Sequence, residues 1–198
     1  MLHYSRLRFT SAIIVPLLVC SAAIGQAQEL KPHPRRGFLA GDTIQLIVVD
    51  GRRITDDFDK VPTFLNSVLH DAYPDAVVLL GGDSLFYKPA RPGAITVRVQ
   101  VLGYNRGFGI EAGAGIGIVG GTVLPLVFPQ GKWNGASALA ITTFDKRSGR
   151  DSKQTTTISK VVSKANTWGS RSGTQAMRES LSEAANALLN YLDALFAA

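Results

Sequence analysis

The sequence is poor in the side chains that most chemistry needs. Among 198 residues there is one cysteine, Cys20, and there are three histidines, His3, His33 and His70. Loss of an N-terminal segment containing Cys20 would leave no disulfide, no thiolate nucleophile and no cysteine-ligated zinc site. There is no His-Glu-x-x-His, and the scattered histidines do not assemble a metal site. Asp56, Asp57 and Asp59 are close in sequence, but the glycine and terminal glutamate of a calcium loop are missing. No Gly-Lys-Ser/Thr phosphate loop occurs, because Trp133 follows Gly131-Lys132. No metal and no cofactor is therefore expected. The charge of +6 is scattered over short pairs such as Arg35-Arg36, Arg52-Arg53 and Lys146-Arg147. Without a basic stripe and interleaved aromatics this argues against nucleic acid. It suits weak attraction to anionic surfaces.

What is present begins with an export signal. Arg6 and Arg8 precede an apolar core from Ile13 to Cys20, and small residues close the segment at Gly25 and Ala27. That is the pattern of a signal peptide over residues 1–27. The core is interrupted by Pro16 and is shorter than the roughly 20 residues of a membrane span. Cys20 would permit a lipid anchor, but Val19 stands where a small residue is wanted. Cleavage after Ala27 removes two positive charges, leaving a net charge of about +4. Residues 28–42, rich in proline and charge, read as a linker. Residues 43–198 read as a single domain, long enough to be stabilised by its core alone.

The domain's elements follow from hydrophobic period. Thr43 to Asp50 is a β-branched run expected to be buried on both faces. A helix opens at Lys60-Val61-Pro62, carries Val61, Leu65, Val68 and Leu69 on one stripe, and stops at Tyr73-Pro74. Ala76 to Leu80 is a second buried strand. Ala94 to Gly103 alternates, with Ile95, Val97, Val99 and Val101 on one side and Thr96, Arg98 and Gln100 on the other. It reads as a half-buried strand with an antiparallel neighbour. Gly135 to Asp145 and Ser152 to Ser163 form a hairpin around Lys146 to Arg150. The last element is an amphipathic helix bearing Met177, Leu181, Ala184, Leu188, Tyr191 or Leu192, and Leu195, with Ser172 and Gln175 at capping-box spacing. The fold class is α/β (α+β): one mixed, mostly antiparallel sheet with two helices packed on one face.

Gly82-Asp83-Ser84-Leu85 resembles the nucleophile block of the GDSL esterases. That family's base is a histidine near the C-terminus, and no histidine follows Ser84 here. Its Gly-x-Asn-Asp block is also absent. No catalytic residue is assigned, and a serine hydrolase using Ser84 stands as the enzyme alternative.

A glycine-rich insertion spans residues 104–131. Gly109, Gly113, Gly117 and Gly121 fall every fourth residue, and residues 107–128 hold one charge, Glu111. On a helix these glycines would make a bare face for self-association or membrane contact. The competing reading is extended, because Ile110, Ala112, Ala114, Ile116 and Ile118 alternate and glycine disfavours helix.

The strand TIQLIVVDGR, the helix from Pro62 to Asp71, the strand ITVRVQVLGY, the segment ASALAITTFDKRSG and the closing AANALLNYL together resemble small exported α/β envelope proteins. These are the YajG-type lipoproteins, the CsgG-type family and the N-terminal domain of TolB. The resemblance implies a non-catalytic accessory role in envelope assembly or secretion. It also implies a location in the periplasm or at the outer-membrane periphery of a Gram-negative-type cell. Its partners would be envelope proteins or the chain itself, with membrane association through residues 107–128. The resemblance brings no catalytic residues.

Overall fold

Ile44, Leu46 and Val48 put three branched side chains on one side of a single strand, and all three are buried. That row sets the floor of the core. It lies in a computed structural model that describes residues 43–52, 59–81, 94–109, 118–119, 122–123, 130–145 and 152–197. The expected signal peptide, the linker, the Gly82 to Leu85 block and the Lys146 to Arg150 turn lie outside the described residues.

The elements run β1 (Thr43–Asp50), α1 (Val61–Ala72), β2 (Val77–Gly81), β3 (Ala94–Phe108), β4 (Ile118–Val119), β5 (Thr122–Val123), β6 (Trp133–Asp145), β7 (Ser152–Lys164) and α2 (Ser170–Ala197). The main sheet has five strands in the order β2-β1-β3-β6-β7. β1 is parallel to both β2 and β3, whereas β3–β6 and β6–β7 are antiparallel. The sheet is mixed, as expected, with parallel and antiparallel pairings in equal number. β4 and β5 form a separate antiparallel ribbon within the glycine-rich insertion.

Both helices cover one face. Val61, Leu65, Val68 and Leu69 of α1 pack with Met177, Leu181, Ala184, Leu188 and Leu192 of α2 over Ile44, Leu46, Val48, Ile95, Val97, Val99, Val101, Leu139 and Ile141. These helix positions are the ones the helical period selects. The two helices are tied directly as well. The Tyr73 hydroxyl donates to Asp193 Oδ1 at 2.9 Å, and its ring meets Phe196 edge-on at 5.4 Å.

Three expectations change. β2, expected to be buried, is the edge strand of the sheet and leaves Val77 and Leu80 exposed. β3 has the expected antiparallel neighbour, β6, but it is not half-buried: it lies between β1 and β6, and Ala94 to Val99 are buried whichever way they face. Thr96 is 0% exposed and Arg98 only 6%. Alternation read as a solvent face because Thr, Arg and Gln are polar. Arg98 instead lays its guanidinium 4.6 Å from the Phe144 ring centre, and burial lowers its pKa from the ordinary value. The third change is at α2, which starts at Ser170 rather than Ser172. Ser172 is a buried helical residue whose hydroxyl accepts the Trp168 N–H at 3.2 Å. The backbone turn Ser172 N–H to Gly169 C=O, at 3.0 Å, carries the helix start upstream of the expected cap.

α2 sits unusually close to β6. A methyl group at Gly135 would overlap the Met177 backbone, so helix and strand touch main chain to main chain. One turn further on, the Ser137 and Ser180 hydroxyls meet at 2.7 Å, and Ser180 donates to the Met177 carbonyl at 2.7 Å. Gly135→Ala is expected to cost about 3 kcal/mol, because neither backbone can yield without moving the core. Leu188→Ala should cost a similar ~3 kcal/mol by opening a cavity beneath α2. Urea unfolding midpoints of both variants check this. An unchanged midpoint for Gly135→Ala would refute the backbone contact.

Candidate functional site

β3 outlives its partner. Its pairing with β1 ends at Asp50↔Val101, while its pairing with β6 continues to Phe108↔Trp133. The register shifts between Val101 and Gly103, so the extension is a local irregularity that re-aims the following side chains. Tyr104, Arg106 and Phe108 then alternate along it, and each meets a different structure on the helix side of the sheet.

Tyr104 reaches the entry to α1. Its hydroxyl donates to Asp59 Oδ2 at 2.6 Å. Arg178, from α2, donates to Asp59 Oδ1 through Nε at 3.0 Å and through Nη2 at 2.8 Å. One carboxylate thus joins β3, the start of α1 and α2. Burial pushes the Asp59 pKa up, but hydrogen bonds from Arg178 and Tyr104 and the nearby Arg178 and Arg106 charges hold it below the ordinary value. Burial and the Asp59 bond both raise Tyr104, so its proton is held. A second pair closes β1. Arg52 donates to Asp50 through Nε at 2.9 Å and Nη2 at 2.7 Å, and Gly51 N–H donates to Val101 C=O at 3.0 Å. Burial raises Asp50, while the Arg52 bonds and charge lower it further than burial lifts it.

This cluster lies beside the C-terminal end of β1, where open α/β sheets commonly place ligands. Its chemistry is that of a clamp. Both oxygens of Asp59 are engaged, the carboxylate is ionised at neutral pH, and Tyr104 is protonated. Neither group is poised to exchange a proton near pH 7.

Arg106 continues the line to the start of α2, donating to Ser170 C=O at 2.9 Å and to the Thr174 hydroxyl. Phe108 meets Trp133 edge-on at 5.7 Å. Trp133 packs across Gly173, and its indole N–H donates to Asn166 Oδ1 at 2.9 Å. Trp168, in the loop before α2, is 72% exposed, and Phe108 is 38% exposed. Lys132 and Arg171, next to this group in the chain, are exposed. Lys164 pairs with Glu179 at 2.5 Å. The result is an end of the molecule that shows large aromatic rings beside positive charge.

Of the glycines singled out by sequence, Gly109 is at this end, while Gly113, Gly117 and Gly121 lie outside the described residues. Gly109 has φ +61°, donates its N–H to Lys132 C=O at 2.8 Å and accepts from Asn134 Nδ2 at 2.7 Å. It closes the two strand ends from which the insertion departs. Residues 118–119 and 122–123 of that insertion are extended and paired. Ser84, the candidate nucleophile, lies outside the described residues, and His70 is exposed on α1. Arg98, which sequence alone left on the surface, is buried, whereas Arg106 is exposed. Among the described residues, no three His, Cys, Asp or Glu side chains gather to hold a metal ion, and no helix is long and apolar enough to cross a membrane.

Sequence reasoning missed the Asp59–Tyr104–Arg178 triad. In sequence, Asp59 stands beside Asp56 and Asp57 in a group that lacks the glycine and terminal glutamate of a calcium loop. Its partners are 45 and 119 residues away, and no local pattern marks such a pair.

These features define an α/β domain with two helices on one face of a mixed five-stranded sheet, and an aromatic and basic end. No protein-family model matches the sequence, and no curated protein matches it. Similar solved structures include the hypothetical protein CT253 from Chlamydia trachomatis, 11% identical, covering 77% of this chain and 99% of that one, with a TM-score of 0.42. The rare lipoprotein B from Shewanella oneidensis is 10% identical over 76% of this chain and 95% of that one, with a TM-score of 0.40. A PelC dodecamer from Paraburkholderia phytofirmans is 11% identical over 77% and 95%, with a TM-score of 0.34. The structures it resembles thus include a lipoprotein. The finer likeness to YajG-type, CsgG-type and TolB domains rests on the sequence.

Replacing Tyr104 by Phe removes a hydrogen bond to an ionised carboxylate and is expected to cost about 1–2 kcal/mol. The pH dependence has a definite sign. Asp59 is depressed from its ordinary 3.8, so its contribution is present above that value and lost as pH falls through the lower folded value. The stability gap between the natural protein and Asp59→Asn should therefore be constant near neutrality and shrink below about pH 4. Denaturant melts at several pH values test it, and a gap that widens in acid would refute the clamp.

Proposed function

We propose that this chain is an exported cell-envelope accessory protein that acts by binding and carries out no reaction of its own. The observation that carries the reading is the state of the Asp59 cluster. Where the strand ends gather polar groups, the carboxylate is fully engaged and the tyrosine keeps its proton. The nearby exposed residues, Phe108, Trp168, Lys132 and Arg171, suit contact rather than turnover. The signal-peptide pattern of residues 1–27 supports export. The envelope resemblance of the sequence supports a role in assembly or secretion, in the periplasm or at the outer-membrane periphery, with an envelope protein or a second copy of the chain as partner.

A C-terminally tagged copy, followed by cell fractionation, tests this reading. The expected product is shorter than the full chain by about the length of the leader, and it is found in the periplasmic or membrane fraction. An unprocessed, cytoplasmic product would overturn it. The hydrolase alternative is tested in parallel by short-chain ester turnover. The accessory reading expects none, and turnover abolished by Ser84→Ala would replace it.

A further inference from the structure

We propose that the end of the molecule formed by Phe108, Trp133 and Trp168 with Lys132 and Arg171 docks on the headgroup layer of a bilayer rich in anionic phospholipid. This rests on the exported reading, since the surface must meet an envelope membrane, and it names the partner of that same end.

Trp168 is 72% exposed. Leaving so large an apolar ring in water has a cost that a partner would remove. Tryptophan suits the boundary between headgroups and acyl chains because its ring is apolar and its N–H stays wet. Phe108, 38% exposed, and the half-buried Trp133 extend the apolar patch, and their edge-on contact at 5.7 Å holds them in place. Phe108 and Trp133 are carried by β3 and β6, Gly173 in the first turn of α2 makes room for Trp133, and Trp168 stands in the turn just before that helix.

The charge around the patch complements an anionic surface. Lys132 directly precedes Trp133 and Arg171 opens α2, both exposed. Arg106 adds a third positive charge, also exposed, held against the start of the helix by the Ser170 carbonyl at 2.9 Å. The carboxylate on the adjoining turn of α2, Glu179, is compensated by Lys164 at 2.5 Å. Each basic residue near an anionic membrane strengthens binding by a factor of about five. Shallow aromatic insertion with peripheral cations gives reversible attachment, and it requires no membrane-spanning helix.

The test uses the protein purified from the cells that export it, in sedimentation with two kinds of vesicle. One is phosphatidylcholine alone; the other is phosphatidylcholine mixed with phosphatidylglycerol. Expected are binding to the mixed vesicles only, a blue shift of tryptophan emission, and weakening with added salt. Trp168→Ser combined with Arg171→Ser should weaken binding about tenfold or more, and Lys132→Glu alone several-fold. All three positions are exposed, so circular dichroism should show the fold unchanged. Absence of binding overturns the proposal. So does equal binding to neutral vesicles, the result a lipid on Cys20 would give, and so does binding that both variants retain. A processed, exported protein that ignores vesicles removes the docking surface alone, since fractionation reads the export independently.

Discussion

The contact on which most of the structure depends is the seat of α2 on β6, where Gly135 lets the Met177 backbone lie against the strand. A helix pressed that close cannot slide or roll without overlap. Its register on the sheet therefore fixes three things together. Leu181, Leu188 and Leu192 face the core, Arg178 stands over Asp59, and Gly173 is placed under Trp133. The core, the ion-pair cluster and the aromatic end are positioned by one close approach. The Ser137–Ser180 hydrogen bond then satisfies the polar groups buried by that approach, so intimacy is achieved without leaving hydroxyls unpaired.

Much of the fold could be read in the chain because its local signals agree with its tertiary structure. The β-branched run from Thr43 to Asp50 specifies a strand covered on both faces, and the three-and-four spacing of Met177 to Leu192 specifies the face of α2 that is buried. The misreading of β3 has a clear physical origin. Thr96, Arg98 and Gln100 alternate with apolar residues as a solvent face would. Arginine, however, can bury its stem and stack its head on an aromatic ring, as Arg98 does on Phe144. The mixed sheet was expected, but which strands pair in parallel was not legible, for a related reason. Period identifies a strand but not the direction of its neighbour, and β3 has one neighbour of each kind.

The candidate site was legible only in fragments. Its electrostatic half is built from residues far apart in sequence, and a lone aspartate, tyrosine or arginine carries no mark of such a partner. Gly135 stood at the first position of the expected strand, where a glycine reads as a boundary; only with β6 begun at Trp133 does it fall inside a strand and point to a close backbone approach. Read that way, it would have brought α2 to β6 and, with it, Arg178 toward Asp59. The extension of β3 past Gly103 was hidden by its own composition. Asn105, Arg106 and Gly107 resemble a loop, yet β6 pairs with each of them.

The order of delivery of the chain follows from the same architecture. The core joins residues near position 44, the first strand, to residues near position 192, in the last helix. A nascent chain that has presented β1, α1, β3 and even β6 still lacks the side chains of α2, which complete the cover of that face. Such long-range closure is slow, because distant segments must meet before burial rewards them. Until α2 is available the sheet has no cover over β6, so a chain made from its N-terminus completes its core only when its last helix arrives.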